Sequence, residues 1–187
     1  AASDVYKRQV FYRQVLEIYA TSIDYDPKAE ISVQFFKKVQ NKIHYAIHGQ
    51  TAAEVIYNRA DAEKEFMGLT TFAGNQPTLR EATIAKNYLN EKELRAMGQL
   101  VSGYLDFAER QAEREQAMTM QDWSEHLDRI LTMSGEQLLI GNGSVSHKQA
   151  IDKATGEYRK YKARTLSEVE RDYLDSIKLL EQKTDKK

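Results

Sequence analysis

One pattern recurs along this chain and limits what it can fold into. A Thr, Ser or Asn is followed three residues later by Glu, Gln or Asp, as at Thr51/Glu54, Thr78/Glu81, Ser146/Gln149 and Thr165/Glu168. In such a box the first side chain accepts from the amide three residues on, and the second reaches back to the first residue's own amide. Asn90 before Glu91-Lys92-Glu93 and Thr119 before Asp122 are related starts. Each marks the beginning of a helix, so the pattern predicts a chain of many separate helices. Only two prolines in 187 residues are present to interrupt them.

Apolar spacing fills in the helices. Phe11, Val15, Ile18 and Tyr19 mark one from Val10 to about Thr21. Asp26-Pro27 is a second start, with Asp as cap and Pro tolerated in the first turn. The helix after it carries Phe36, Val39, Ile43 and Ile47 on one face and Lys37, Gln40, Asn41 and His44 on another; Gly49 is suited to end it. The clearest helix, about 91–116, repeats Leu94, Met97, Val101, Tyr104, Leu105, Ala108 and Ala112. The next, about 120–133, turns Trp123, Leu127, Ile130 and Leu131 inward and ends at Gly135. Residues 147–163 and 166–183 read as two helices, or as one with a weak joint at Thr165. The second half keeps a nearly heptad stripe of Leu166, Val169, Tyr173, Ile177 and Leu180, which suits a partner helix. Residues 62–77 fit no helix and form a long connection, with a short strand or hairpin as an alternative. The fold expected is all-α, a single bundle of about six or seven helices with this irregular loop segment.

Composition excludes several functions. There is no cysteine, hence no disulfide framework and no thiolate metal site. The formal charge of −1 gives no global electrostatic case for nucleic acid or an acidic membrane surface. No apolar run is long enough to span a membrane, and no secretory signal is visible. A cytoplasmic protein without a cofactor or a resident metal, and with no membrane partner, is expected.

The candidate chemistry lies in the first half. His44 and His48 share a helical face, as zinc-protease histidines do, but Tyr45 stands where that motif needs its glutamate base. The competing reading puts both rings in a last turn, where His⁺ favours the negative helix end. Asp24, Asp26, Glu54 and Asp61 are near them in sequence. These carboxylates could join the histidines around a divalent ion, or could serve as caps and loop residues. Helix starts at Thr51 and Thr78 could hold a phosphate, with Arg59, Arg80 and Lys86 close by. Arg159, Lys160, Lys162 and Arg164, interleaved with Tyr158 and Tyr161, form a basic patch that reads as solvated surface, with both tyrosines turned inward. Gly141-Asn142-Gly143 does not match the phosphate loop of Fic-type transferases. Glu136, Ile140 and Ser144 stand where that loop needs a His, an acid and a base. There is no serine nucleophile elbow.

Several stretches together carry a family resemblance. They are Phe11-Tyr12-Arg13-Gln14, residues 18–27, Gln40-Asn41-Lys42-Ile43-His44-Tyr45-Ala46 and His48-Gly49-Gln50-Thr51-Ala52-Ala53-Glu54. Arg59-Ala60-Asp61-Ala62, Met67-Gly68-Leu69-Thr70, residues 84–89, residues 105–109 and Gly143-Ser144-Val145-Ser146-His147 follow in order. From about Val10 to Tyr161 the chain resembles the C-terminal part of the RhuM family of virulence-associated bacterial proteins.

The resemblance implies a two-part molecule from pathogenicity islands and mobile elements. Its winged-helix or repressor-like DNA-binding domain would lie upstream of Val10, so DNA is a partner only through that domain. Residues 1–9 resemble translated adaptor sequence and are expected to be a non-native leader, an assembly artefact, with 10–187 forming one helical domain. The resemblance brings no catalytic residues with it. Asp24, Asp26, His44, His48, Glu54, Arg59, Asp61, Lys86 and Asn87 form the candidate pocket. The function expected is an effector or ligand-sensing module. The alternatives are a metal-assisted phosphodiesterase using His44, His48, Asp24 and Asp61, and a scaffold that forms homo-oligomers through the C-terminal helix.

Overall fold

A computed structural model describes Glu17 and residues 19–185. Among these residues there are six α-helices and no strand. They are α1 (Glu30–His48), α2 (Ala52–Arg59), α3 (Leu79–Ala82), α4 (Glu91–Glu113), α5 (Met120–Met133) and α6 (His147–Thr184). Single 3-10 turns at Glu65–Gly68 and Ala85–Tyr88 flank α3. The all-α bundle expected from the sequence is the fold observed. The first helix read from the sequence lies mostly outside the described residues; Glu17, Tyr19 and Ala20 are helical.

Five of the six start signals are complete capping boxes, at Thr51/Glu54, Thr78/Glu81, Asn90/Glu93, Thr119/Asp122 and Ser146/Gln149. The sixth is not a start. Thr165 lies inside the 38-residue α6, and its hydroxyl donates to the Tyr161 carbonyl at 2.8 Å. No Gly or Pro follows Gly156, so nothing in the backbone chemistry interrupts the helix there. Asp26 is also displaced from its expected role. Its carboxylate accepts the Lys28 amide at 2.9 Å in a turn, and α1 starts only at Glu30, with no side-chain cap. Pro27 is therefore part of the turn before the helix.

α1, α4 and α5 pack together, and α2 and α3 pack on the first part of α6. The α1 stripe is wider than its apolar residues suggest. Val39 and Ile43 are buried as expected, and so are Lys42 and His44. Lys42 is satisfied by Ser124 Oγ at 2.9 Å and Asp128 at 2.8 Å on α5. Tyr19 and Tyr104, both fully buried, share a hydroxyl bond of 3.0 Å, and Tyr104 donates to the Trp123 carbonyl at 2.7 Å. Burial pushes both phenols well above their usual range, so they remain neutral donors.

The irregular 62–77 segment is held in place without a strand. Asp61 donates its amide to the Met67 carbonyl at 3.1 Å, and the Thr70 amide donates to the Asn87 carbonyl at 2.8 Å. Phe66 and Met67 take left-handed backbone angles, both with φ 50°. Met67 has no exposed surface; its burial offsets the cost of that conformation. Phe66 and Phe72 pack with centroids 4.7 Å apart and ring planes tilted by 57°, both half-buried.

Candidate functional site

The candidate residues separate into three places. Asp24 and Asp26 leave the group first. Asp24 accepts the Met120 amide at 2.9 Å, so it serves the start of α5. Asp61 accepts the Glu63 amide at 3.0 Å in the loop after α2. Asn87 is buried, and its side chain donates to the Glu81 carbonyl at 3.0 Å. These three side chains organise backbone. Among the described residues no group of three or more His, Asp or Glu side chains could hold a metal ion. The carboxylates the phosphodiesterase reading needs are therefore engaged elsewhere.

His44, His48 and Arg59 do come together, and they do so around a residue absent from the sequence-based set. Arg59 closes α2 and makes two bonds of 2.7 Å to the Glu93 carboxylate, with a further bond of 3.1 Å to the Tyr88 carbonyl. Glu93 also accepts the Asn90 amide at 3.0 Å as the second member of its capping box. The Arg59 bonds bring its carboxyl down to about 2. The Asn90-x-x-Glu93 spacing marked Glu93 as a cap, and nothing in the sequence revealed its second partner.

The two histidines meet through Nδ1 of His44 and Nε2 of His48, 3.1 Å apart. A pair at this distance shares one proton as donor and acceptor. Burial, then the neighbouring His48 and Arg59, lowers His44 to about 3. Burial lowers His48 to about 4, with Glu93 opposing that shift. Both rings are neutral at pH 7. A pair of cationic helix-end histidines is thus replaced by an uncharged pair, His44 buried and His48 half-buried, because α1 turns that face against the rest of the bundle. Lys86 is half-buried, and its charge also disfavours protonation of His44.

A second arrangement lies farther along the same α1 face. Lys37, Asn41, His44 and His48 follow one another at helical spacing. Lys37, Gln40 and Asn41 line a cavity of about 320 Å³ closed by Thr51–Ala53 and by Asn142 and 145–147. It therefore lies where the starts of α2 and α6 meet. Asn41 accepts the Ala52 amide at 3.1 Å, and the two boxes take the amides of Thr51, Glu54, Ser146 and Gln149. Ala53, His147 and Lys148 are the other residues of these first turns, whose amides have no acceptor within the helix. Glu54 accepts Ser144 Oγ at 3.2 Å and so ties the glycine loop to α2. Gly143, with φ 79°, presses on this corner: a Cβ there would stand 2.6 Å from Glu54 Oε1 and from Thr51 Cγ2.

The basic patch on α6 is surface, as its sequence context suggested. Arg159, Lys160 and Lys162 are exposed, Tyr161 is buried and Tyr158 half-buried. Arg164 donates to the Lys64 carbonyl at 3.4 Å. Another cavity, of about 520 Å³, lies between α4 and Glu17, Thr21 and Ile23, with Trp123 and Met118 in its wall.

A family model described as the virulence protein RhuM family matches residues 6–169, most of the chain. The chain belongs to the RhuM family. No curated protein and no solved structure matched it. The RhuM match extends past both helix starts at the smaller cavity and ends within the exposed half of α6. No helix among the described residues is long and apolar enough to cross a membrane.

Proposed function

We propose that this RhuM chain is an effector or ligand-sensing module, and that its ligand is a small phosphate-bearing molecule held in the cavity between α1, α2 and α6. One observation carries the reading. Two helix N-termini from separate parts of the fold open on one cavity, and the exposed Lys37 is among the residues that line it. The start of α2 leaves the Ala53 amide, and that of α6 the His147 and Lys148 amides, without an acceptor in the helix, and each carries the positive end of a helix dipole; both features favour an anion. Asn41, Gln40 and Asn142 supply neutral hydrogen-bonding groups beside them. The Arg59–Glu93 clip then fixes the end of α2 against the start of α4, with the neutral His44–His48 pair of α1 near it.

This reading places the chain's action in the cytoplasm, beside the DNA-binding domain that the family resemblance implies upstream. A ligand that bridges α2 and α6 would stabilise their packing, and that change is what a neighbouring domain could sense.

The test is thermal melting of the purified chain with inorganic phosphate and with nucleoside mono- and diphosphates, beside the Lys37→Gln variant. Lys37 is exposed, so its loss leaves the fold intact. A rise in melting temperature of the wild type that Lys37→Gln abolishes is the result expected. No rise with any of these phosphates at millimolar concentration would overturn the proposal, as would an equal rise in the variant.

A further inference from the structure

Among the described residues the second half of α6 has no partner. Among the described residues, the hydrogen bonds from α6 to the body come from residues up to Arg164. Lys153 donates to the Tyr57 carbonyl, Glu157 accepts the Ala62 amide, Tyr161 bonds Gln76, and Arg164 reaches Lys64. Beyond that point Leu166, Val169, Tyr173 and Leu180 are 58–66% exposed, and Ile177 is half-exposed. At 100° per residue these five fall in a stripe about 80° wide. A solvated helix has no use for such a stripe, because helical stability in proteins comes mostly from the packing of an amphipathic face.

The spacing of the stripe selects its partner. It is symmetric about Tyr173: Val169 and Ile177 lie four residues to either side, and Leu166 and Leu180 seven. In an antiparallel pair centred on Tyr173, every apolar residue meets an apolar residue of the same set. Leu166 stands level with Leu180 of the second helix, Val169 with Ile177, and Tyr173 with Tyr173. That self-complementarity is what an isologous twofold contact requires. Charge points the same way. In an antiparallel pair centred on Tyr173, Glu168 stands level with Lys178 of the second helix and Arg171 with Asp175. These opposite charges attract in the antiparallel pair, whereas in-register parallel pairing sets each of them against its own like.

We infer that the stripe is a docking surface for a second copy of this chain, in an antiparallel helix pair with its twofold axis at Tyr173. The seam from Leu166 to Leu180 is only about 21 Å long. Its area is well below the ~800 Å² per partner of a standard interface, so the dimer is weak and forms at high protein concentration. This surface lies outside the phosphate cavity and does not depend on it.

The chain has no cysteine, so single cysteines report the geometry directly. Leu166→Cys, Tyr173→Cys and Leu180→Cys are each oxidised at about 100 μM, a concentration chosen for a small interface. All three sites are exposed, so the substitutions leave the core untouched. Tyr173→Cys is expected to form a disulfide-linked dimer with itself. Leu166→Cys and Leu180→Cys are expected to cross-link when mixed and not alone, because equivalent residues stand about 21 Å apart, beyond the ~7 Å a disulfide tolerates. Self-cross-linking of Leu166→Cys would overturn the antiparallel arrangement. A wild-type chain that sediments as a monomer at the same concentration, with no cross-link in any variant, would overturn the docking surface itself.

Discussion

Arg59 and Glu93 join the end of α2 to the start of α4 through two parallel bonds of 2.7 Å. The fork geometry matches guanidinium to carboxylate, and both side chains are mostly buried, at 28% and 13% exposure. Arg59→Met leaves Glu93 without its partner and is expected to cost about 2 kcal/mol in urea unfolding. In a double-mutant cycle with Glu93→Gln, the pair is expected to couple by about 1–2 kcal/mol. Additive single losses would show that the clip contributes nothing as a pair.

The histidine pair gives a pH dependence with a defined sign. His44 and His48 have folded values near 3 and 4 against 6.5 when exposed. Between those limits the unfolded chain binds more protons than the folded one, so stability is full above about pH 6.5 and falls as the pH drops. Glu93, held near 2, extends the loss below pH 4.5, where the unfolded carboxyl takes up its proton first. The urea midpoint is expected to fall from pH 7 to pH 5, and His48→Gln to make that fall shallower. A midpoint constant over this range would contradict a neutral pair.

Gly68 sits at φ 95° with its α-carbon against α2. A Cβ there would lie 2.2 Å from the Arg59 carbonyl oxygen, which is backbone and cannot swing away. Gly68→Ala is expected to destabilise the fold by about 3 kcal/mol, from clash and left-handed strain together. Gly98→Ala, where a Cβ meets nothing within 4 Å, is the control, and helix propensity predicts a gain of about 0.5–1 kcal/mol there. Equal effects at the two glycines would remove the steric argument.

Much of this architecture was legible because capping boxes are local. Thr51/Glu54 or Thr119/Asp122 needs only four residues to declare a helix start, and the structure forms five such boxes. Thr165 shows the limit of that reasoning, since the same spacing inside an unbroken helix is satisfied by the Tyr161 carbonyl behind it. The candidate site was less legible. His44 looked polar-faced on α1, and only the packing of the bundle buries it. Glu93 gave one signal, as a cap, while its bond to Arg59 joins residues 34 apart in sequence. Asp24 was grouped with the histidines by proximity in the chain, yet it caps a helix 96 residues away. The smaller cavity is likewise assembled from 37–41, 51–53 and 142–147, three segments that no spacing rule connects.

The Lys37 rim also predicts a salt response. An anion held by one exposed ammonium and two helix ends is screened by added salt, as exposed charges are. Phosphate affinity is expected to fall several-fold between about 50 and 300 mM sodium chloride. Affinity independent of salt would point to a ligand held by shape alone.

The most direct test of the cavity is an amide ¹⁵N–¹H spectrum of the chain titrated with inorganic phosphate and with a nucleoside diphosphate. The account predicts saturable shifts at Ala53, His147 and Lys148, the first-turn amides of α2 and α6, that vanish in Lys37→Gln. Shifts confined to the Arg159–Arg164 surface, or no shift at those three amides, would contradict it.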